Sequence, residues 1–482
     1  MRSRGLLLLV AVFLLPYFFA VCVSRFHFRL PDDVVPLLLR SLLQAVASSA
    51  LALAFGVVGA VGLLRRSLRW EALAIFPAVV PSIAIVLGFM SMAPNWRGWS
   101  AVAVAHAAVS SGLVAVALSR AIRNVLGGSL ELAWVEGASR RVIWFRGVLP
   151  AVKGDLARLA LAIFAASLAS FSIPLLLGGV RAVSIEIAIL QAIRLEDAWD
   201  IAASLSILQM AMLVSLVLIL AKSAEPDRSI ESESRQALGR ILGSDLAFAT
   251  LFVVPFGVIA ALLHAPLAGF RQLETAGLFA NGEFLVLAFR GSVVTATLAG
   301  IFTALILFAF AAVFPAARWR KWISGYAAPS VAITGFATLA IGWGATPSFA
   351  LDSFRIAIGA GFLFAPVLWR LRFEQRLAGL QGQVSVAETL GASHLMIVHK
   401  VLWPQLREVL FWAAGLVAFW VWGDYAIGSI SASRAMTLAL VAKGLLESYR
   451  FEAASILILV CLVLGAISYR LFSMAGGSRV NS

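Results

Sequence analysis

Two stretches decide how this chain is read: ELAWVEGASRRVIWFRGVLP, from Glu131 to Pro150, and SVAETLGASHLMIVHKVLWP, from Ser385 to Pro404. Laid over one another at one constant offset, they share Ala133 and Ala387, a Gly-Ala-Ser triplet beginning at Gly137 and Gly391, and a proline that follows that glycine at equal spacing, Pro150 and Pro404. Each lies in a basic loop between apolar segments. Equal internal spacing in two equivalent loops marks a duplicated element rather than a chance match in an Ala- and Gly-rich chain.

What surrounds the loops is a membrane chain. Of 482 residues, 61% are hydrophobic and 13% charged, and the mean hydropathy is +0.96, far outside soluble globular usage. Runs of about 20 apolar residues, the length a helix needs to cross the hydrocarbon core, recur throughout. Such runs predict an all-α polytopic protein rather than a barrel. A formal charge of +14 would suggest nucleic acid in a soluble protein, but here the basic residues sit in short loops between apolar runs, where they set topology. No nucleic-acid partner is expected. Cys22 and Cys461 both fall inside apolar runs, so neither a disulfide framework nor a metal site is argued. The opening MRSRGLLLLVAVFLLPYFFAVCV has no small-residue cleavage site after it and is read as an uncleaved first span.

Twelve candidate spans follow from the apolar runs. The loops on one side of them, with both termini, hold 26 of the 38 basic residues, and the other side holds 12. Positive-inside asymmetry therefore puts both termini and both repeated loops in the cytoplasm. The second half repeats the first in order: Arg40-Ser41 with Arg290-Gly291-Ser292, Pro81-Ser82-Ile83-Ala84-Ile85 with Pro329-Ser330-Val331-Ala332-Ile333, and Ala202-Ala203-Ser204 with Ala453-Ala454-Ser455. An even number of spans per half gives both copies one orientation, that is, parallel repeats. The expected division is a first half over 1–222, a polar cytoplasmic linker over 223–244, and a second half over 245–482. Val183 to Leu195 is apolar but too short to span and is expected to be an interfacial helix on the outer side, with Thr437 to Leu446 its counterpart.

A loop that transmits motion needs a short rigid element, and the spacing predicts a helix through Glu131 to Ala138, with Gly137 allowing close approach to a partner and Pro150 fixing the start of the next span. No GxxxxGK[ST] phosphate loop is present. Ionisable groups inside the spans are few, His106 and Asp424 being the main ones. Asp424 and Ser170, related by the offset that relates the two loops, are candidates for the outer part of a pathway, while for His106 a packing role is favoured.

Glu131, Ala133, Gly137, Leu149 and Pro150 resemble the EAA loop of ABC importer permeases, whose pattern runs Glu-Ala-Ala, three residues, Gly, nine residues, Ile, one residue, Leu-Pro. The first loop has Leu132 for the first alanine and Gly147 for the isoleucine. In the second, Ala387, Gly391 and Pro404 are kept, Val401 stands at the isoleucine position, Trp403 replaces leucine, and Ser385 replaces the glutamate. ASFSIPLLLGGVRAVSIEIAILQAIRL, WGDYAIGSI and LLESYRFEAASILILV further resemble fused thiamine importer permeases, with ferric-iron permeases the neighbouring family. This resemblance implies the type I importer fold in a bacterial inner membrane, two ATPase subunits on the cytoplasmic side and a periplasmic binding protein that delivers cargo. It implies no cofactor in this chain, ATP and magnesium being held by the partner. An ion-coupled secondary transporter also has parallel six-span repeats, but would want intramembrane carboxylates.

Overall fold

The computed structural model describes residues 27–66, 68–179, 183–222, 242–264, 282–313, 330–339, 341–342, 345–432 and 437–477. Among these there is no strand, and the chain is an all-helical polytopic membrane protein. The expected first span (5–23) and positions 223–241 of the expected linker (223–244) lie outside the described residues, as do positions 324–329, 340 and 343 of the expected ninth span (324–343).

In chain order the helices are α1 (Val34–Leu63), α2 (Leu68–Val79), α3 (Ser82–Met92), α4 (Trp99–Val135), α5 (Leu149–Leu168), α6 (Ser172–Leu177), α7 (Ile185–Arg194), α8 (Trp199–Lys222) and α9 (Asp245–His264). They continue with α10 (Gly282–Val313), α11 (Val331–Leu339), α12 (Phe349–Leu368), α13 (Gln381–Thr389), α14 (Trp403–Trp422), α15 (Ala426–Ser431), α16 (Leu438–Glu447) and α17 (Phe451–Ala475). Six helices among the described residues are long and apolar enough to cross a membrane, and α2 with α3 would make a seventh if one bent pair counts as a span. The series α5, α6, α7, α8 recurs in the same order and at nearly the same spacing as α14, α15, α16, α17.

Contacts divide the chain into two compact units. One comprises Val35–Ser184 and Leu218–Ala265; the other comprises Met1–Val34, Ile185–Val217 and Pro266–Ser482. The units exchange segments relative to chain order, because α7 and most of α8 belong with the C-terminal helices.

In the unit of Val35–Ser184, α1 buries Ser41, Ala45, Ser48, Ala52, Gly56, Ala60 and Leu63. Steps of three and four residues place them on one face, and their small size lets neighbouring backbones approach where lipid supplies no hydrophobic drive. The expected third span (72–92) is broken: α2 and α3 meet at 87°. Pro81 is the cause, since the residue before a proline avoids the helical region and Val80 therefore ends α2. The expected fifth and eleventh spans (159–177 and 409–430) are also each divided. Pro174 removes a helical donor beyond the first break, at Ala169–Phe171. Gly423 and Asp424 mark the second.

In the other unit, α10 packs along α12 and α14, and α14 along α17. Helix α7 packs against α11 and α15, with Ile185, Glu186, Ile187, Ile189, Ala192 and Ile193 buried. It is thus a largely enclosed helix rather than one lying with a single face against the protein.

Candidate functional site

Each repeated loop is an elbow built by the same backbone bonds. At the first, the Ala138 N–H donates to the Ala133 carbonyl and the Gly137 N–H to the Trp134 carbonyl, both at 3.0 Å. At the second, Ala392 donates to Ala387 and Gly391 to Glu388, again at 3.0 Å. This six-to-one plus five-to-two pairing ends a helix on a residue in the left-handed region, which favours glycine. Gly137 has φ +84° and Gly391 φ +79°. A Cβ at either would meet nothing within 4 Å, so the glycines serve backbone conformation and not close packing within the chain.

The serine of the triplet starts the next turn. Val142 N–H donates to the Ser139 hydroxyl oxygen at 3.5 Å, and Met396 N–H to that of Ser393 at 3.3 Å. Gly-Ala-Ser therefore encodes helix stop and helix start in three residues. Then each elbow widens into a π turn, Ile143–Val148 and Val398–Leu402. Leu149 N–H reaches back to the Trp144 carbonyl and Trp403 N–H to the Val398 carbonyl, the long step of a π turn in both. Pro150 and Pro404 follow, without an N–H and with rings that would strike the carbonyl one turn back in an ordinary α-helix. The wider turn accommodates them.

It also keeps three apolar positions facing inward. Ile143, Val148 and Val152 are buried with Ala60, Leu64, Leu118, Ile122 and Leu242. Their counterparts in the second elbow, Ile397, Leu402 and Leu406, are buried too. Each anchor contributes about 1.5–3 kcal/mol of burial. Outward, the elbows are apolar and basic. Val135 is 81% exposed and Phe145 70%, beside exposed Arg140, Arg141 and Arg146; Leu390 is 81% exposed and Leu395 80%, beside exposed His394, His399 and Lys400.

No family model, curated protein or solved structure matches this chain.

Of the residues singled out in sequence, Ala133, Ala387, Gly137 and Gly391 sit in the helix-ending bonds, and Pro150 and Pro404 at the starts of α5 and α14. Leu149 and Trp403 occupy matching, exposed positions; Trp403 stands edge-on to Phe308 at 5.3 Å. Val401 is half-buried, and the Ser385 hydroxyl is exposed and donates to the Gln381 carbonyl. The backbone of Glu131 lies within α4; its side chain is outside the described residues. Ser170 and Asp424 lie in different units, each at the break between a long helix and a short one. Asp424 accepts from the Ala426 and Ile427 N–H groups at 3.3 and 3.4 Å and so caps α15. His106 has Nδ1 3.3 Å from the Ser48 hydroxyl.

The structure adds buried charges that sequence reasoning passed over. Glu71 receives Arg123 at 2.7 Å and Arg120 at 2.8 Å, and Arg123 also donates to the Leu63 carbonyl, which fastens α2 and the end of α1 to the long helix α4. Asp352 and Arg355 pair at 3.5 Å, Arg355 donating in addition to the Ile341 carbonyl at 2.9 Å. Glu186 is completely buried. Its carboxylate accepts from Gln209, from the Ser330 hydroxyl and from the Ala332 N–H at 2.8 Å, at the N-terminus of α11. Burial pushes this carboxyl up to about 7 against the pull of those donors. A signal was present in the sequence: Glu186 shares a helical face with Ile189 and Ile193, one and two turns on, where a solvated glutamate has no place.

Proposed function

We propose that this chain is the membrane-spanning permease subunit of an ATP-driven ABC importer, with twelve spans in two parallel six-helix repeats. Its two elbows are the coupling elements, each inserting into one of two ATPase subunits on the cytoplasmic side of a bacterial inner membrane. One observation carries the reading. Two elbows, one in each half of the chain, repeat the same helix stop, serine cap, π turn and inward anchors while leaving apolar and basic side chains uncovered. Uncovered apolar groups on a shared rigid frame suit two copies of one partner. Recurrence of the series α5 to α8 as α14 to α17 supports the duplicated architecture. A periplasmic binding protein would deliver a small solute, most in keeping with thiamine or a related organic cation, with ferric iron the alternative cargo.

Glu186 favours a second reading. A buried carboxyl that no cation among the described residues faces is what an ion-coupled secondary transporter would need. Cysteines introduced at Val135 and Leu390 separate the two. On the ATPase reading both cross-link to a subunit carrying a phosphate loop, and uptake into membrane vesicles needs ATP. If neither position cross-links to such a subunit, and a protonophore abolishes uptake at constant ATP, the importer reading fails.

A further inference from the structure

We propose that Glu186 is a proton-binding site, taking up and releasing a proton inside the unit of Ile185–Val217 and Pro266–Ser482, with Gln209 turning its amide to serve both forms. The inference stands apart from the ATPase reading and needs no partner.

Three observations carry it. First, the carboxyl is fully buried on α7 and its partners are all neutral: the Gln209 amide, the Ser330 hydroxyl and the Ala332 N–H. Second, among the described residues no counter-ion faces it from the helices around it. Helices α11 and α15 contain no ionisable residue, α8 carries Asp200 and Lys222 only near its two ends, and on α7 itself Arg194 stands at the far end, donating to the Ala432 carbonyl. That end is about 12 Å of helix away. Third, the groups present satisfy either state. An amide donates through its NH2 to a carboxylate, or accepts through its oxygen from a carboxylic acid, so a rotation of Gln209 lets it bond Glu186 in either form. The other buried carboxylates differ on this point, since Glu71 is held by Arg120 and Arg123, and Asp352 by Arg355.

Proton uptake forms one O–H bond on the carboxylate and breaks one in a hydronium ion of the solvent, which leaves as water; no other bond changes. Its consequence is local. The charged form caps the positive end of α11, and the neutral form gives up that charge–dipole attraction. Protonation therefore loosens the hold of α7 on α11.

Infrared difference spectra of the full chain in lipid nanodiscs test this, recorded as the buffer is stepped from alkaline to acid through about pH 7. A protonated-carboxyl stretch should grow with a midpoint well above the ordinary glutamate value of 4.5, be missing in Glu186→Gln, and persist in Asp424→Asn and Asp352→Asn. The same band in Glu186→Gln, or one that titrates only in the ordinary range, overturns the proposal. Should Glu186→Gln fail to insert, Gln209→Leu keeps the carboxyl but removes its amide partner, and because the amide bonds the charged form more strongly than the neutral one, the midpoint should rise by about one unit. A midpoint that stays put in Gln209→Leu assigns the band to another carboxyl and overturns it as well.

Discussion

The two elbows share a backbone and differ in what holds them and what they show. The first is the end of a single 37-residue helix, α4, fastened near its middle by Glu71 to Arg120 and Arg123. The second hangs from a segmented rod: α12 passes into a π turn at Trp369–Phe373, then a short helix at Glu374–Gly379, then α13. Aromatic packing, with Trp369 against Phe310 and Phe373, stands there in place of the ion cluster. A few residues with special backbone chemistry fix the bend, while the supports behind it and the surface in front of it are free to diverge.

Removing the cluster should break the comparison most. Glu71→Ala leaves Arg123 buried without its carboxylate, and breaking a buried pair this way costs roughly 3–5 kcal/mol. Thermal unfolding of the purified chain should come at a lower temperature, and hydrogen exchange should quicken over 131–150 but not over 385–404. Equal quickening at both loops would show that the cluster is not the private support of the first.

The glycines come next, and here the elbows should behave alike. Valine at Gly137 or Gly391 would be forced into the left-handed region at roughly 1–2 kcal/mol each. Since nothing lies within 4 Å of either Cβ position, the cost is conformational and falls on the elbow rather than on the bundle. Under the importer reading, the double variant should insert normally and lose at least about tenfold in ATP-driven uptake, which is about a 1.4 kcal/mol effect. Unchanged uptake in membrane vesicles counts against the elbows as coupling elements.

That pair also marks how far the sequence could be read. Gly-Ala-Ser and the later proline were legible because each residue does a backbone job that few others do: left-handed stop, hydroxyl cap, missing donor. The break at Ala169–Phe171 was not, because apolar residues run on through it and such a span looks the same whole or divided. At Gly423–Tyr425 a glycine followed by a capping aspartate did carry a signal, which the sequence reading assigns to a pathway residue instead. The enclosure of α7 was hidden for a related reason, since that helix is too short to declare a membrane span and its burial depends on α11, a helix far along the chain. Glu186 went unnoticed as one carboxylate in an apolar segment. Its partners Gln209 and Ala332 meet it only in the fold.

Smaller effects sharpen the likeness. Ser139→Ala and Ser393→Ala each remove a cap of the same geometry and should each cost about 1 kcal/mol, within a few tenths of one another. Thermal unfolding of the two single variants measures this directly. A difference as large as the effect itself would show that one serine has a task besides capping.

The smallest effect concerns the surfaces. Arg141 of the first elbow stands where Leu395 stands in the second, and both are exposed. Exposed charge contributes little to affinity, roughly 0–1 kcal/mol, but it steers encounter and makes association sensitive to salt. Under the importer reading, Arg141→Leu should leave the affinity for the ATPase subunit nearly unchanged while flattening the ionic-strength dependence of its association rate, and Leu395→Arg should steepen it. Stopped-flow mixing with the ATPase at several salt concentrations reads both. If Arg141→Leu leaves the salt slope as it was, the basic side chains of the first elbow do not face the partner. The surface that docks must then be the apolar one that both elbows share, through Leu132 and Val135 in the first and Val386 and Leu390 in the second.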